Sequence, residues 1–293
     1  MLKRVDIQTQ RLAMKLNKFV IACASALCFS ASASATTLLY SDFSSTAGLQ
    51  LNGNAAQAGN ALRVTPANFG QSGSVFSTSA ISLAADASFS TAFRFRFTNP
   101  GGSCDGQGCG ADGLVFVVQT NSNSVGGAGG GIGYDGLPRS VGIEFDTWNN
   151  GAIDQNSSNQ VGIDLNGNMS SVAWANILND MNNGNIWSAW VDYNGATDKL
   201  EVRLAEGQNA SRPTDALISY FTDLTNVLQS TDAYVGFTSG TGAAFANHDV
   251  LAWQFNSTFD PINDVGNAVP EPTTLALLGL GLAGLVARRR KAT

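Results

Sequence analysis

The 293-residue chain contains one histidine, His248, and four cysteines. A Ser-His-Asp triad would rest on that single ring, and no other residue pattern supports one. His248 sits in a strand-like run and reads as structural. Lysine and arginine are scarce wherever a fold can form. Nine of the sixteen lie at the two ends, leaving seven against twenty carboxylates between residues 36 and 269, a net charge near −13. So acidic a body excludes nucleic acid and anionic membrane as partners, and it suits cation binding. There is no internal repeat, and only DLTNVLQS (223–230) hints at a helical turn. The Gly-rich run GGAGGGIG lacks a following Lys-Ser/Thr and a strand-turn-helix context, so it is not a phosphate cradle.

Both ends read as addresses. Lys3, Arg4, Arg11, Lys15 and Lys18 form a basic leader, residues 19–30 an apolar run, and Ala33-Ser34-Ala35 a signal-peptidase site. Residues 1–35 are therefore expected to be a signal peptide, with Met14 an alternative start and Thr36 near the mature N-terminus. Cys23 and Cys28 belong to that leader. Cys104 and Cys109, in GGSCDGQGCGADG, remain after export and are expected to form a local disulfide. Two thiolates with no histidine nearby do not complete a metal site. At the far end, Pro270-Glu271-Pro272 precedes an apolar stretch, 273–287, and then Arg288, Arg289, Arg290 and Lys291. Fifteen helical residues span about 22 Å, short of a bilayer core. The order of these parts in residues 270–293 resembles the PEP-CTERM sorting tail of Gram-negative bacteria. That resemblance implies export to the cell surface, outer membrane or extracellular matrix. It also implies a transient inner-membrane anchor and processing by an exosortase. A plain transmembrane anchor is the alternative.

The 220 or so residues between suit one large all-β domain, 36–258, followed by a linker, 259–269. Short alternating segments recur throughout, at 38–43, 49–53, 61–66, 73–83, 88–98, 113–120, 140–148, 160–166, 186–193, 198–204, 216–222, 233–238 and 249–256. In FSTAFRFRFT, Arg94 and Arg96 share one face. Asn194-Gly195 marks a hairpin. Regular strands with Gly/Asn/Ser turns indicate a β-sandwich or jelly roll.

The segment 141–164, VGIEFDTWNNGAIDQNSSNQVGID, carries the densest chemistry. Glu144 and Asp146 are two apart on a strand and so share a face. Asn150 and Asp154 follow on a polar loop before the next strand. Four oxygen donors on one hairpin suit a hard cation such as Ca²⁺. An EF-hand is excluded, because Trp148 and Ser157 stand at loop positions 3 and 12 and strands flank the loop.

Four segments in order resemble an L-type (legume-type) lectin domain of the concanavalin A-like jelly-roll class. These are GADGLVFVVQ (110–119), GGGIGY (129–134), the hairpin above, and VGFTSGTGAAFANHDVLAWQF (235–255). The resemblance implies that Asp146, the carbonyl of Trp148, Asn150 and Asp154 hold Ca²⁺. It implies that Asp112 accepts bonds from sugar hydroxyls after a cis Ala111–Asp112 peptide. Gly130 and Asn150 would donate to the sugar, and Trp148 would cover its apolar face unless its ring joins the core. Gly242, Ala243 and Ala244 would tune sugar choice. A second, transition-metal site in plant members uses Glu, two Asp and a His. Glu144 is present here, but Gln160 replaces the His, and a neutral amide binds such ions weakly. That second site is expected to be weak or empty.

The expectation is therefore an exported, calcium-dependent carbohydrate-binding protein, not an enzyme, whose partner is a glycan or exopolysaccharide. A structural matrix protein on a silent lectin fold is the alternative. A glycoside hydrolase lacks support, since no third carboxylate follows Glu144 and Asp146 in the pattern such jelly rolls use. The resemblance also makes a homodimer through the flat back sheet possible.

Overall fold

A computed structural model describes residues 35–83 and 86–266. Residues 1–34, where a leader is expected, and residues 267–293, where the sorting tail is expected, lie outside the described residues. No described helix is long and apolar enough to cross a membrane.

Among the described residues there are sixteen strands, one short α-helix and three 3-10 turns. The strands are β1 (Thr37–Tyr40), β2 (Leu49–Gly53), β3 (Ala56–Ala58), β4 (Ala61–Thr65), β5 (Ser72–Ser77), β6 (Ile81–Ser82), β7 (Phe89–Gly102) and β8 (Gly113–Gln119). They continue with β9 (Ser140–Asp146), β10 (Gln160–Leu165), β11 (Ala173–Asn176), β12 (Trp187–Asn194), β13 (Lys199–Glu206), β14 (Ile218–Phe221), β15 (Asp232–Gly240) and β16 (Ala244–Asn256). The anticipated helical turn is α1 (Leu224–Leu228), capped by Asp223, whose side chain accepts from the N–H groups of Thr225 and Asn226.

Two antiparallel sheets pack face to face. The back sheet runs β14-β13-β12-β7-β16-β4-β3, with β1 also on β16. The front sheet runs β11-β10-β9-β8-β15-β5-β2, with β6 also on β15. The run 73–83 is thus two strands, β5 and β6, that bind different parts of β15. β16 starts five residues before its expected position and stays paired to β7 through two irregularities in register. β3 and β11 were not legible as strands, being short and half exposed.

The core is aromatic. On β7, Phe89, Phe93, Phe95 and Phe97 point inward while Arg94 and Arg96 point out, as their alternation requires. Phe93 meets three rings of the opposite sheet. It lies edge-on to Phe145 and Phe237, at centroid distances of 5.6 and 5.0 Å, and stacks on Phe116 at 5.8 Å. The Asn194-Gly195 hairpin forms with a four-residue loop, since Asn194 pairs with Lys199. Gly195 is needed there for close approach: a Cβ would stand 1.9 Å from the Asp86 carbonyl oxygen. Beyond β16, Ile262 and Val265 are buried on Ala92, Trp190 and Ala252 of the back sheet's outer face. Packing therefore continues through the segment read as a linker, and the middle of that outer face is filled by the chain itself.

Because Phe93 joins both sheets, Phe93→Ala should lower unfolding free energy by about 3–5 kcal/mol. Denaturant titration would measure this, and a loss under about 1 kcal/mol would contradict the central role assigned to this ring.

Candidate functional site

The site lies where the ends of β8, β9 and β15 meet. Pairing fixes its floor. Asp146 stands opposite Gly113 of β8 and Gln160 of β10, and Glu144 stands opposite Val115 and Gly162. Ile143 and Phe145 face the core, so Glu144 and Asp146 share the outer face, as their spacing predicted. Just before β8, the Ala111–Asp112 peptide is cis. The Asp112 N–H donates to the Gly240 carbonyl at 3.1 Å, and the Asp112 carbonyl accepts from the Thr147 N–H at 3.0 Å. One residue thereby ties the ends of all three strands.

The loops close over this floor. The Gly129 N–H donates to the Thr241 carbonyl at 3.2 Å. Gly130 lies directly on Asn150, where a Cβ would stand 2.6 Å from Nδ2, so a side chain at 130 would have to displace the Asn150 amide. Gly242 flanks Asp112, its Cβ direction ending 3.7 Å from Oδ2. Trp148 is half-buried and belongs to no core cluster. Ala243 is exposed, but Ala244 is the first residue of β16 and is buried. That corrects the anticipated rim: only Gly242 and Ala243 present surface there.

Carboxylates crowd this corner. The Asp146 Oδ1 accepts from the Trp148 N–H at 2.8 Å, and Asp154 accepts from the Asn150 N–H. Burial, then the charge of Asp154, pushes Asp112 up to about 7. Burial pushes Asp154 up to about 6, opposed by the Asn150 N–H. Asp146 is held well above the carboxylate range by burial and then by the charges of Glu144 and Asp154. The Asp112 Oδ2 is buried without a protein partner. Among the described residues, no three His, Cys, Asp or Glu side chains form a metal cluster on their own. The Asn150 amide and the Trp148 carbonyl are among the other oxygen donors of this loop, with Thr147 Oγ1 and Asn149 Oδ1.

Glu144 is fully buried in a separate nest. Its Oε1 accepts from Ser171 Oγ at 2.7 Å and from Gln160 Nε2 at 3.4 Å. Ser171 Oγ also lies 2.8 Å from Asp164 Oδ1. Burial pushes Glu144 up to about 7, partly offset by Ser171, and holds Asp164 well above its usual range. Asp164 and Ser171 escaped the sequence reading. The Ile163-Asp164 alternation places Asp164 on the Glu144 face, and that was the available signal. A second omission was Asp105 of the cysteine loop. Its Oδ2 accepts from the Asn149 N–H at 3.0 Å, so the Cys104–Cys109 disulfide loop braces the 147–154 loop.

His248 is fully buried and its pKa is lowered to about 3 by desolvation. Its Nδ1 lies 2.7 Å from Thr65 Oγ1, and its ring is edge-on to Phe97. The neutral ring serves the core, as expected of it.

The two-sheet jelly roll, with loops gathered at the ends of three central strands of the front sheet, has the fold of solved legume-type lectins. The Legume lectin domain model matches residues 35–269, and the chain belongs to that family. The PEP-CTERM protein-sorting motif matches residues 268–291, which indicates export and sorting in a Gram-negative bacterium. Relatives include the L-type lectin-domain containing receptor kinase VIII.1 of Arabidopsis thaliana, 32% identical over 73% of this chain and 28% of that protein. Agglutinin-2 of Cladrastis kentukea is 32% identical over 58% of each. The match thus spans less than two thirds of the length of each of these curated relatives. Among solved structures, the lectin from Bauhinia forficata in complex with GalNAc superposes with a TM-score of 0.65 at 22% identity, covering 80% of this chain and all of that one. The metal-free form of lectin I-B4 from Griffonia simplicifolia gives 0.64 at 24% identity, covering 75% of this chain and 98% of that one. Both likenesses establish the fold.

The raised carboxylates set a pH dependence for metal-free protein. Folded Asp112, Asp154 and Glu144 keep their protons to about pH 6–7, whereas unfolded carboxyls release them near 4. Their contribution is complete below about pH 4 and is lost as pH rises through 6–7. Thermal melts in metal-free buffer should show the midpoint falling across that range, with Glu144→Gln flattening the fall. A midpoint that climbs instead would refute the assignment.

Proposed function

We propose that this protein is an exported carbohydrate-binding lectin whose site is organised by one calcium ion. The observation that carries this reading is the convergence of Asp112, Gly130, Asn150 and Gly242 beside the crowded pair Asp146 and Asp154. In this reading Asp112 accepts bonds from two sugar hydroxyls, and its buried, unpartnered Oδ2 is suited to the task. The Gly130 N–H and the Asn150 amide donate, the Trp148 ring covers the sugar's apolar face, and Gly242 and Ala243 form the rim.

The donor set fits a hard divalent cation. Asp146, Asp154, the Asn150 amide oxygen and the Trp148 carbonyl would hold it, all oxygen ligands. Such an ion, when bound, supplies the positive charge that lets clustered carboxylates ionise together. Asn150 then has its oxygen committed and its N–H₂ turned to the sugar, so its orientation is set before ligand arrives. A second metal beside Glu144 has no role here, because the Gln160 amide stands in the place of an imidazole and already bonds Glu144. A hydrolase reading is disfavoured by the full burial of Glu144. The bare rim at Ala243 favours one second reading, a matrix protein that keeps the fold without binding glycans. In this reading either activity lies outside the cytoplasm, at the cell surface or in an exopolysaccharide matrix, with the tail processed by an exosortase; the sorting motif supports the export part.

A glycan array probed with calcium and with EDTA tests this. Binding should require calcium, and Asp112→Ala should weaken it about 100-fold, the loss of charge-assisted hydrogen bonds. Calcium at 100 times its Kd should add about 2.7 kcal/mol to stability. Glycan binding undiminished in EDTA would reject the calcium mechanism. A folded wild type silent on every glycan would leave the matrix reading.

A further inference from the structure

The Cys104–Cys109 loop touches both the rim and the proposed calcium loop, and it leads straight into Asp112. At its entry, the Ser103 N–H donates to the Ala243 carbonyl at 3.0 Å. At its turn, Asp105 Oδ2 accepts from the Asn149 N–H at 3.0 Å. Gly106 lies against the far end of the calcium loop, where a Cβ would stand 3.3 Å from Ser158 Oγ. Its exit is Cys109-Gly110-Ala111, and Asp112 follows at once.

Asp105 is itself aimed by its own loop. Its N–H donates to the Gly108 carbonyl at 2.8 Å, and its Oδ1 accepts from the Gln107 N–H at 3.2 Å. One carboxylate oxygen thus stays within the loop while the other reaches Asn149. Asn149 passes the constraint on. Its Oδ1 accepts from the Gly151 N–H at 2.7 Å and its Nδ2 donates to the Asn156 carbonyl at 3.0 Å, so it spans the turn that carries Asn150 and Asp154. The cysteine loop has little in its composition to hold this shape. Five of the ten residues 101–110 are glycine, the residue that loses most backbone freedom on ordering. The disulfide, between residues five apart, removes part of that freedom in advance. Cys104 is exposed and Cys109 half-buried, so the bond is open to a dithiol in solution.

We propose that Asp105 is a positioning residue for the calcium loop, held in place by the Cys104–Cys109 disulfide, so that calcium and glycan bind strongly only to the oxidised protein. The inference rests on the lectin reading given above. Both Asp105 oxygens already accept backbone N–H groups, so Asp105 acts through Asn149 and not as a ligand. It fixes the Asn149 backbone, and the residues on either side, Trp148 and Asn150, are the ones that would present oxygen to the ion. Closing the bond takes two electrons and two protons from the Cys104 and Cys109 thiols, and a disulfide oxidant of the exporting compartment accepts them. A chain in a reducing cytoplasm keeps the open loop, and the site is completed after export. A reduced loop that reaches the braced shape about a tenth of the time binds calcium about tenfold more weakly.

Calorimetric calcium titration of the full chain, oxidised and after dithiothreitol, tests this. Amide hydrogen exchange of the calcium-free protein gives a readout independent of the ion. The dithiol breaks the S–S bond to two thiols and itself closes to a cyclic disulfide. The calcium Kd should rise about tenfold on reduction, and equally when Cys104→Ser and Cys109→Ser are combined. The Asn149 N–H should exchange about tenfold faster in both forms than in the oxidised protein. Asp105→Ala, with the disulfide intact, should reproduce both changes, and Asp105→Asn, which keeps an acceptor oxygen, should recover part of each. Thermal melts verify folding, and if the reduced protein unfolds the two Asp105 variants decide the matter. A calcium Kd unchanged in folded Asp105→Ala, or Asn149 exchange unchanged there, overturns the positioning role and leaves the lectin reading intact. Oxidised wild type that binds neither calcium nor any glycan overturns both.

Discussion

A slip of one residue between β8, β9 and β15 would turn Phe145 and Phe237 to solvent and drive Glu144 and Asp146 into the core. Antiparallel register is thus the constraint on which the site depends. It is enforced from the core side, where rings of both sheets interlock around Phe93. On the opposite face the same register sets Asp146 against Gly113 and brings Asp112 next to Gly240 and Thr147. Aromatic packing and the placement of the carboxylates are therefore one decision, expressed on two faces of the same strands.

That decision concentrates negative charge where water is largely excluded. Desolvation is the leading cause of every raised carboxyl in this corner, and like-charge repulsion adds to it. The two carboxyl groups nearest the surface loops, Asp146 and Asp154, meet mainly backbone N–H groups, and a cation is the natural complement. Glu144 and Asp164 instead share a serine hydroxyl, and Gln160 supplies an amide. The two halves of one acidic cluster are thus stabilised by different means.

Much of this was legible from spacing. The two-residue step from Glu144 to Asp146 predicted a shared face, and the alternation of FRFRF predicted which side of β7 is aromatic. The cysteine pair was expected to close its own loop, and it does. What escaped had no local signal. β3 and β11 are short edge pieces whose residues are all half exposed or exposed, so no strong apolar pattern marks them. Ala244 looks like a loop residue until β16 is seen to start there. Residues 259–266 look polar, and only their packing reveals Ile262 and Val265 as buried.

The sequence by itself determined the strand periodicity, the composition of the acidic hairpin and the C-terminal sorting motif, because each depends on residues close together in the chain. Tertiary structure alone decided that Asp112, Gly130, Asn150 and Gly242 share one surface. It also decided that Asp105 braces the hairpin. These contacts join segments from tens of residues to well over a hundred apart, and they exist only once sheet register has drawn their strands to the same edge.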